Sequence, residues 1–266
     1  MSPATNSIVR AAKQLSINVI GIQHGLLNNN NFAYNYSDEE LKIDNPFPHK
    51  LIVWGKEEFD FLVKNKSILK DTVQPLGNVI LDGLKYLPKK EESAIFTVLF
   101  ATQPQPITSQ RVKSVTDFVE AILKFDANEI KVIIRLHPRE VNDYDLYKES
   151  FSQLKDYEIE LDKGEELFSQ INKAEVLVTS YSTVSKDAMI LRKPIVLQDY
   201  SESDITGLIR KEVAVNTLNS NELFTVLTQI KDKELKINSD KYEKALSEIY
   251  ASTNFEVAGE IVKLFK

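Results

Sequence analysis

The chain contains no cysteine, which removes thiolate catalysis, disulfides and cysteine-bound zinc from consideration. Glycine is scarce, 8 residues in 266, and neither G-x-G-x-x-G nor a Walker sequence occurs, so a glycine-rich phosphate loop is excluded. No apolar run approaches about 18 residues, so no segment is long and apolar enough to span a bilayer as a helix. The opening "MSPATNSIVRAAKQ" lacks the continuous apolar core of a signal peptide, and a cytoplasmic location is the expectation. Positive charge is in deficit: 33 basic residues against 39 acidic give −6. Such a chain is unsuited to lying along nucleic acid, although one local phosphate pocket is compatible with it. There is no HExxH, no clustered metal-ligating set and no Gly-x-Ser-x-Gly elbow, so no metal is expected.

What is present is alternation. "INVIGIQ" (17–23), "LIVW" (51–54), "FTVLFA" (96–101), "KVIIRL" (131–136), "VLVT" (176–179) and "PIVLQ" (194–198) are short, β-branched and continuously apolar. Strands buried on both faces have this pattern. "VQPLG" (73–77) and "YEIEL" (157–161) are shorter candidates. Between them lie amphipathic stretches at 56–65, 109–125, 143–154, 164–173, 183–192, 219–231 and 239–250, and a last one at 254–265. The fold class expected is α/β, a parallel sheet with helices on both faces. "YLPKKEES" (86–93) is the best boundary. It separates a partial N-terminal α/β domain (1–92) from a complete Rossmann-like domain (93–266) whose last helix packs back on the N-terminal part. The asparagines at 28–31 predict a flexible loop.

In open parallel sheets, ligands bind beyond the carboxyl ends of the strands. Polar residues cluster at those ends here. Thr102 and Gln103 follow "FTVLFA"; His137, flanked by Arg135 and Arg139, follows "KVIIRL"; Ser180, Tyr181, Ser182 and Thr183 follow "VLVT"; His24 and Gly25 follow "INVIGIQ". Pro138 restricts His137 to an extended backbone and aims its imidazole off the strand end. A histidine there can hold a phosphate oxygen or donate a proton, with Arg135 and Arg139 adding positive charge; it can equally bond only the backbone. Ser182 or Thr183 is expected to cap the next helix, whose first amides suit an anion. Asp187, one turn in, is within reach of ribose hydroxyls or simply solvated. Gly25 has the freedom to take positive φ and bring backbone near a ligand.

The order of these pieces resembles the GT-B glycosyltransferases of bacterial capsule and surface-polysaccharide assembly. "QHG" after one strand, "HP" after a later one, then a Ser/Thr cluster with an acidic residue and a "KP-[IV]" strand are similar to that group. It includes Kdo-type capsule transferases, bacterial sialyl- and polysialyltransferases, and CDP-glycerol glycerophosphotransferases. The resemblance implies a nucleotide-activated sugar as donor (CMP-, CDP- or UDP-linked) and a glycan as acceptor, with no cofactor and no metal. Peripheral association with a membrane assembly complex is also implied.

By the same resemblance, His137 contacts the donor phosphate, Ser182 and Thr183 hold it, Asp187 meets the ribose and Gly164 offers backbone to the base. His24 faces the donor from the acceptor side. The family's N-terminal domain has several strands ahead of "INVIGIQHG", so the first domain here is expected to be partial. Two other readings stay open: an NDP-sugar 2-epimerase or hydrolase of the same fold, and a non-catalytic nucleotide- or glycan-binding fragment or subunit.

Overall fold

The computed structural model describes residues 3–27, 36–64, 66–90, 95–162 and 166–265. The asparagine run at 28–31, part of the 86–93 boundary and Gly164 lie outside the described residues. Two compact units form: residues 1–86 with 244–266, and residues 87–243. The break thus falls at 86/87, and the chain's end clusters with the first unit.

In the first unit α1 (Pro3–Gln14), β1 (Ile20–Ile22), α2 (Asp38–Ile43), β2 (Lys50–Val53), α3 (Lys56–Val63) and β3 (Val73–Pro75) follow one another. The strands pair parallel in the order β1-β2-β3. Alternation along β2 divides the core. Leu51 and Val53 pack with Leu41, Phe47 and Leu62 on one face. Ile52 points to the other, against Val257 and Ile261 of α10 (Val257–Lys263). The start of α10 is capped from a distance, because the Asp82 carboxylate accepts from the amides of Val257 (2.9 Å) and Ala258 (2.7 Å). Gly77 takes φ +118°, and a Cβ there would lie 2.8 Å from Val257 Cγ2, so the chain needs a glycine at this turn. Within the described residues 36–49 a helix that was not expected, α2, starts at a capping box between Ser37 and Glu40.

The second unit contains β4 (Phe96–Ala101), α4 (Thr108–Ile122), β5 (Ile130–Arg135), α5 (Asp145–Ser152) and β6 (Glu158–Leu161). It continues through α6 (Leu167–Lys173), β7 (Val176–Thr179), α7 (Val184–Ile190), β8 (Ile195–Leu197), β9 (Val215–Asn216) and α8 (Ser220–Lys231). The chain then enters α9 (Ser239–Ile249), which leads back to the first unit. The six strands are all parallel in the order β6-β5-β4-β7-β8-β9. Counted within this unit, that is third, second, first, fourth, fifth, sixth: the doubly wound Rossmann order.

All six residues of β4 are buried, since helices cover both faces. On one face Val98 and Phe100 pack with Phe118, Ile122, Phe151 and Leu227, and the rings of Phe100 and Phe118 stack at 4.1 Å. β9, only two residues long, has no counterpart among the expected strands.

Candidate functional site

The topological switch point, where the chain stops adding strands on one side of β4 and begins on the other, lies between β4 and β7. Register makes the strand ends level. Ala101 pairs with both Arg135 and Thr179, and Thr179 pairs with Leu197. Adjacent strands lie about 4.8 Å apart, so the segments leaving β5 and β7 emerge roughly 10 Å from one another, on either side of β4.

The loop after β4 ties those two segments together. Thr102 Oγ1 accepts from the His137 amide (2.9 Å), and Gln105 Nε2 donates to Ser180 Oγ (3.0 Å). Tyr181 OH donates to the Pro104 carbonyl at 3.4 Å, and buried Thr179 donates through Oγ1 to Ala101 O (2.8 Å). Sequence reading picked out Gln103 in this loop and missed Gln105, whose partner is 75 residues away. The Oε1 atom of Gln103 is enclosed without a hydrogen-bond partner among the described residues.

His137 is half-buried at a tight turn in which the Glu140 amide donates to the His137 carbonyl (2.7 Å). The Arg139 amide donates to Nδ1 of the ring (3.1 Å). Because Nδ1 accepts, the proton of the neutral imidazole resides on Nε2, which is left as a donor. Burial, above all, holds this imidazole below its ordinary value; Glu140 opposes that and Arg139 adds to it. The ring is therefore neutral at pH 7.

Behind the turn, Glu140 is fully buried. It accepts from Arg111 Nε (3.0 Å) and from Tyr147 OH (2.6 Å), while Arg111 also pairs with Asp143 at 2.7 Å. Burial and the bond to Glu140 push the Tyr147 phenol up to about 12.

Thr183 and Arg135 are placed otherwise than expected. Thr183 occupies the cap position of α7 in a helical backbone conformation (φ −58°, ψ −26°) and makes no side-chain cap bond. A cap hydroxyl reaches the helix amides from an extended backbone, which Thr183 lacks. Ser182 Oγ accepts only a long 3.4 Å bond from the Val184 amide. Arg135 turns to the β6–α6 side, where it bonds Gln170 Oε1 (2.7 Å) and Asp162 (3.1 Å), so its charge is already matched. Arg139 is exposed. Gly25 does not take positive φ, and a side chain there would meet nothing within 4 Å. His24 is exposed in the first unit; Gln23 braces its turn by accepting from the Trp54 amide (2.9 Å) and donating to Gly25 O (2.8 Å).

Asp187 is buried, not solvated. Burial, reinforced by Glu166 and offset by Lys186, raises its carboxyl from 3.8 to about 7. The folded protein thus holds a proton that the unfolded chain releases between those values. The stabilisation is complete below the lower pH and lost as pH rises through the upper one. Asp187→Asn is expected to match the native protein near pH 4 and to exceed it at pH 8 by up to about 4 kcal/mol. Urea unfolding at both pH values measures the difference, and equal gains at both would disprove the burial account.

The model of the family described as CDP-Glycerol:Poly(glycerophosphate) glycerophosphotransferase matches residues 101–263. No curated protein matches. Among solved structures, a UDP-GlcNAc 2-epimerase from Neisseria meningitidis bound to UDP-GlcNAc is similar at TM-score 0.68 and 15% identity, over 99% of this chain and 74% of that one. A putative UDP-N-acetylglucosamine 2-epimerase from Listeria monocytogenes gives 0.66 and 12%, over 98% and 70%. The wall teichoic acid polymerase TagF gives 0.60 and 14%, over 93% and 67%. At these identities the likeness is one of fold: α/β, Rossmann-like and GT-B-like. Transferase and epimerase share it, so the fold alone does not choose between them. Among the described residues no helix is long and apolar enough to cross a membrane.

Proposed function

Because the chain belongs to the CDP-glycerol:poly(glycerophosphate) glycerophosphotransferase family, we propose that it transfers a group from a nucleotide-linked donor to a growing surface polymer. A CDP-linked alcohol phosphate is the favoured donor, ahead of a nucleotide sugar. In this reading the second unit holds the donor and the first serves the acceptor. An acceptor hydroxyl attacks the phosphorus of the transferred group, the bond to the nucleoside monophosphate breaks, and the monophosphate leaves with the bond's electron pair.

The His137 Nε2–H stabilises the negative charge growing on that leaving phosphate. Ser182 and Thr183 hold its other oxygens, Gln103 adds a polar contact, and Asp187 meets the ribose. Arg139, exposed beside His137, supplies positive charge at the rim. His24 takes the acceptor's proton. The supporting observation is the bridged strand edge: the β4 loop bonds the His137 turn and the Ser180 segment at the switch point, where nucleotides bind in this topology.

Calorimetry with CMP, CDP, UDP and GDP tests the reading. A cytidine nucleotide is expected to bind, and a Ser182→Ala/Thr183→Ala double variant to bind it about 10²- to 10⁴-fold more weakly, since each of the two hydrogen bonds to a charged group contributes about 1.5–3 kcal/mol. Unchanged affinity would remove the phosphate-holding role. The epimerase reading has the same fold behind it as the transferase reading. Consumption of UDP-N-acetylglucosamine without any acceptor would establish it instead.

A further inference from the structure

The mechanism proposed above makes no use of the buried Arg111–Glu140–Tyr147 cluster. A fully buried carboxylate is costly to desolvate, and a buried ion pair often stabilises no better than apolar residues of the same volume. Here the cost is higher still, because Glu140 Oε2 has no hydrogen-bond partner among the described residues. Stability alone is therefore a poor reason for the cluster. Its place in the fold supplies a better one.

Glu140 is the last residue of the turn that starts at His137, and its amide donates to the His137 carbonyl. Arg111 lies on α4, the helix that follows the 102–107 loop, and Thr102 of that loop accepts from the His137 amide. The turn is thus gripped from both directions. Thr102 holds the His137 amide in front, while Arg111 and Tyr147 hold the Glu140 carboxylate behind. Arg111 Nε and Tyr147 OH both donate to the same oxygen, Oε1, and are themselves 3.1 Å apart, so a shift of one displaces the others.

We propose that Arg111, Glu140 and Tyr147 are positioning residues for His137. They hold the 137–140 turn in the geometry that keeps Nδ1 on the Arg139 amide and presents Nε2–H outward. This deepens the donor-phosphate reading of His137 and rests on it, but the geometric part can be read without any donor.

The test uses the full chain. Nitrogen-15 spectra of the His137 imidazole at pH 7.5, taken without nucleotide, report which ring nitrogen carries the proton. Native protein is expected to show the Nε2–H form. Tyr147→Phe removes the 2.6 Å bond to Glu140 and is expected to shift the spectrum toward a mixture of tautomers. Its kcat is expected to fall about 10-fold with donor KM little changed, as for a slightly misplaced group. Glu140→Gln, which keeps an oxygen for both donors, is expected to retain most of the native spectrum and turnover, whereas Glu140→Ala retains neither. Should Glu140→Ala fail to fold, Tyr147→Phe decides alone. A native His137 spectrum and native kcat in a destabilised Tyr147→Phe protein would overturn the proposal and leave the cluster purely structural. Native turnover in a His137→Ala protein would instead overturn the donor-phosphate reading, with the spectra still reporting on the turn.

Discussion

His137→Ala is expected to lower kcat for transfer from a CDP-linked donor about 10²–10³-fold, the usual effect of removing one preorganised donor from a developing negative charge. Donor KM should change far less, because the bond strengthens as the leaving phosphate gains charge. The pH dependence follows from the ring's surroundings. Burial holds the imidazole below its ordinary value, so the neutral Nε2–H form prevails through pH 7 and 8 and His137's contribution stays flat there. Acidification below the ordinary imidazole value adds a proton to Nδ1, which must then release the Arg139 amide, and turnover declines. Initial rates of native and variant protein between pH 5 and 8.5 measure both effects. A constant native-to-variant ratio across that range would rule out the tautomer argument, and a ratio near one would rule out the role altogether.

The second large effect concerns stability. Glu140→Ala is expected to destabilise the fold by about 3–5 kcal/mol, because it strips the main buried partner from Arg111 and takes away the acceptor of the Tyr147 hydroxyl proton. For a chain of this size that lowers Tm by roughly 10 °C or more. Asp143→Ala removes the other carboxylate bonded to Arg111, but that side chain is 47% exposed, and a solvated pair contributes under about 1 kcal/mol. Urea unfolding of the two variants side by side makes the comparison. Equal losses would mean that burial does not govern the cluster. A negligible loss in Glu140→Ala would mean that the pocket refills with water at little cost.

Much of the fold was legible in the residues because the signals are local. "FTVLFA" is a strand from its first residue to its last, since a run buried on both faces needs no partner to be recognised. The helices at 108–122 and 220–231 announce themselves by spacing. β9 escaped notice because Val215–Asn216 is too short to show a period. The helix Asp38–Ile43 went unread in a polar stretch, although its Ser37–Glu40 capping box was there to be seen.

The candidate site divides in the same way. That His137 and the Ser180–Thr183 segment follow strands was readable, because it depends on neighbours in the chain; the 137–140 turn was not read. That β5 and β7 flank β4, that Thr102 meets a residue 35 positions on and Gln105 one 75 positions on, came only with the packed sheet. Tertiary structure also took Arg135 for Asp162 and Gln170, buried Asp187 and put Glu140 behind the histidine. The chain's own pattern determines what each segment becomes, since backbone geometry and hydrophobic period act over a few residues. Which side chains share an environment is decided by strand order and burial, and charges respond to whatever the fold brings within a few ångströms, however distant in sequence.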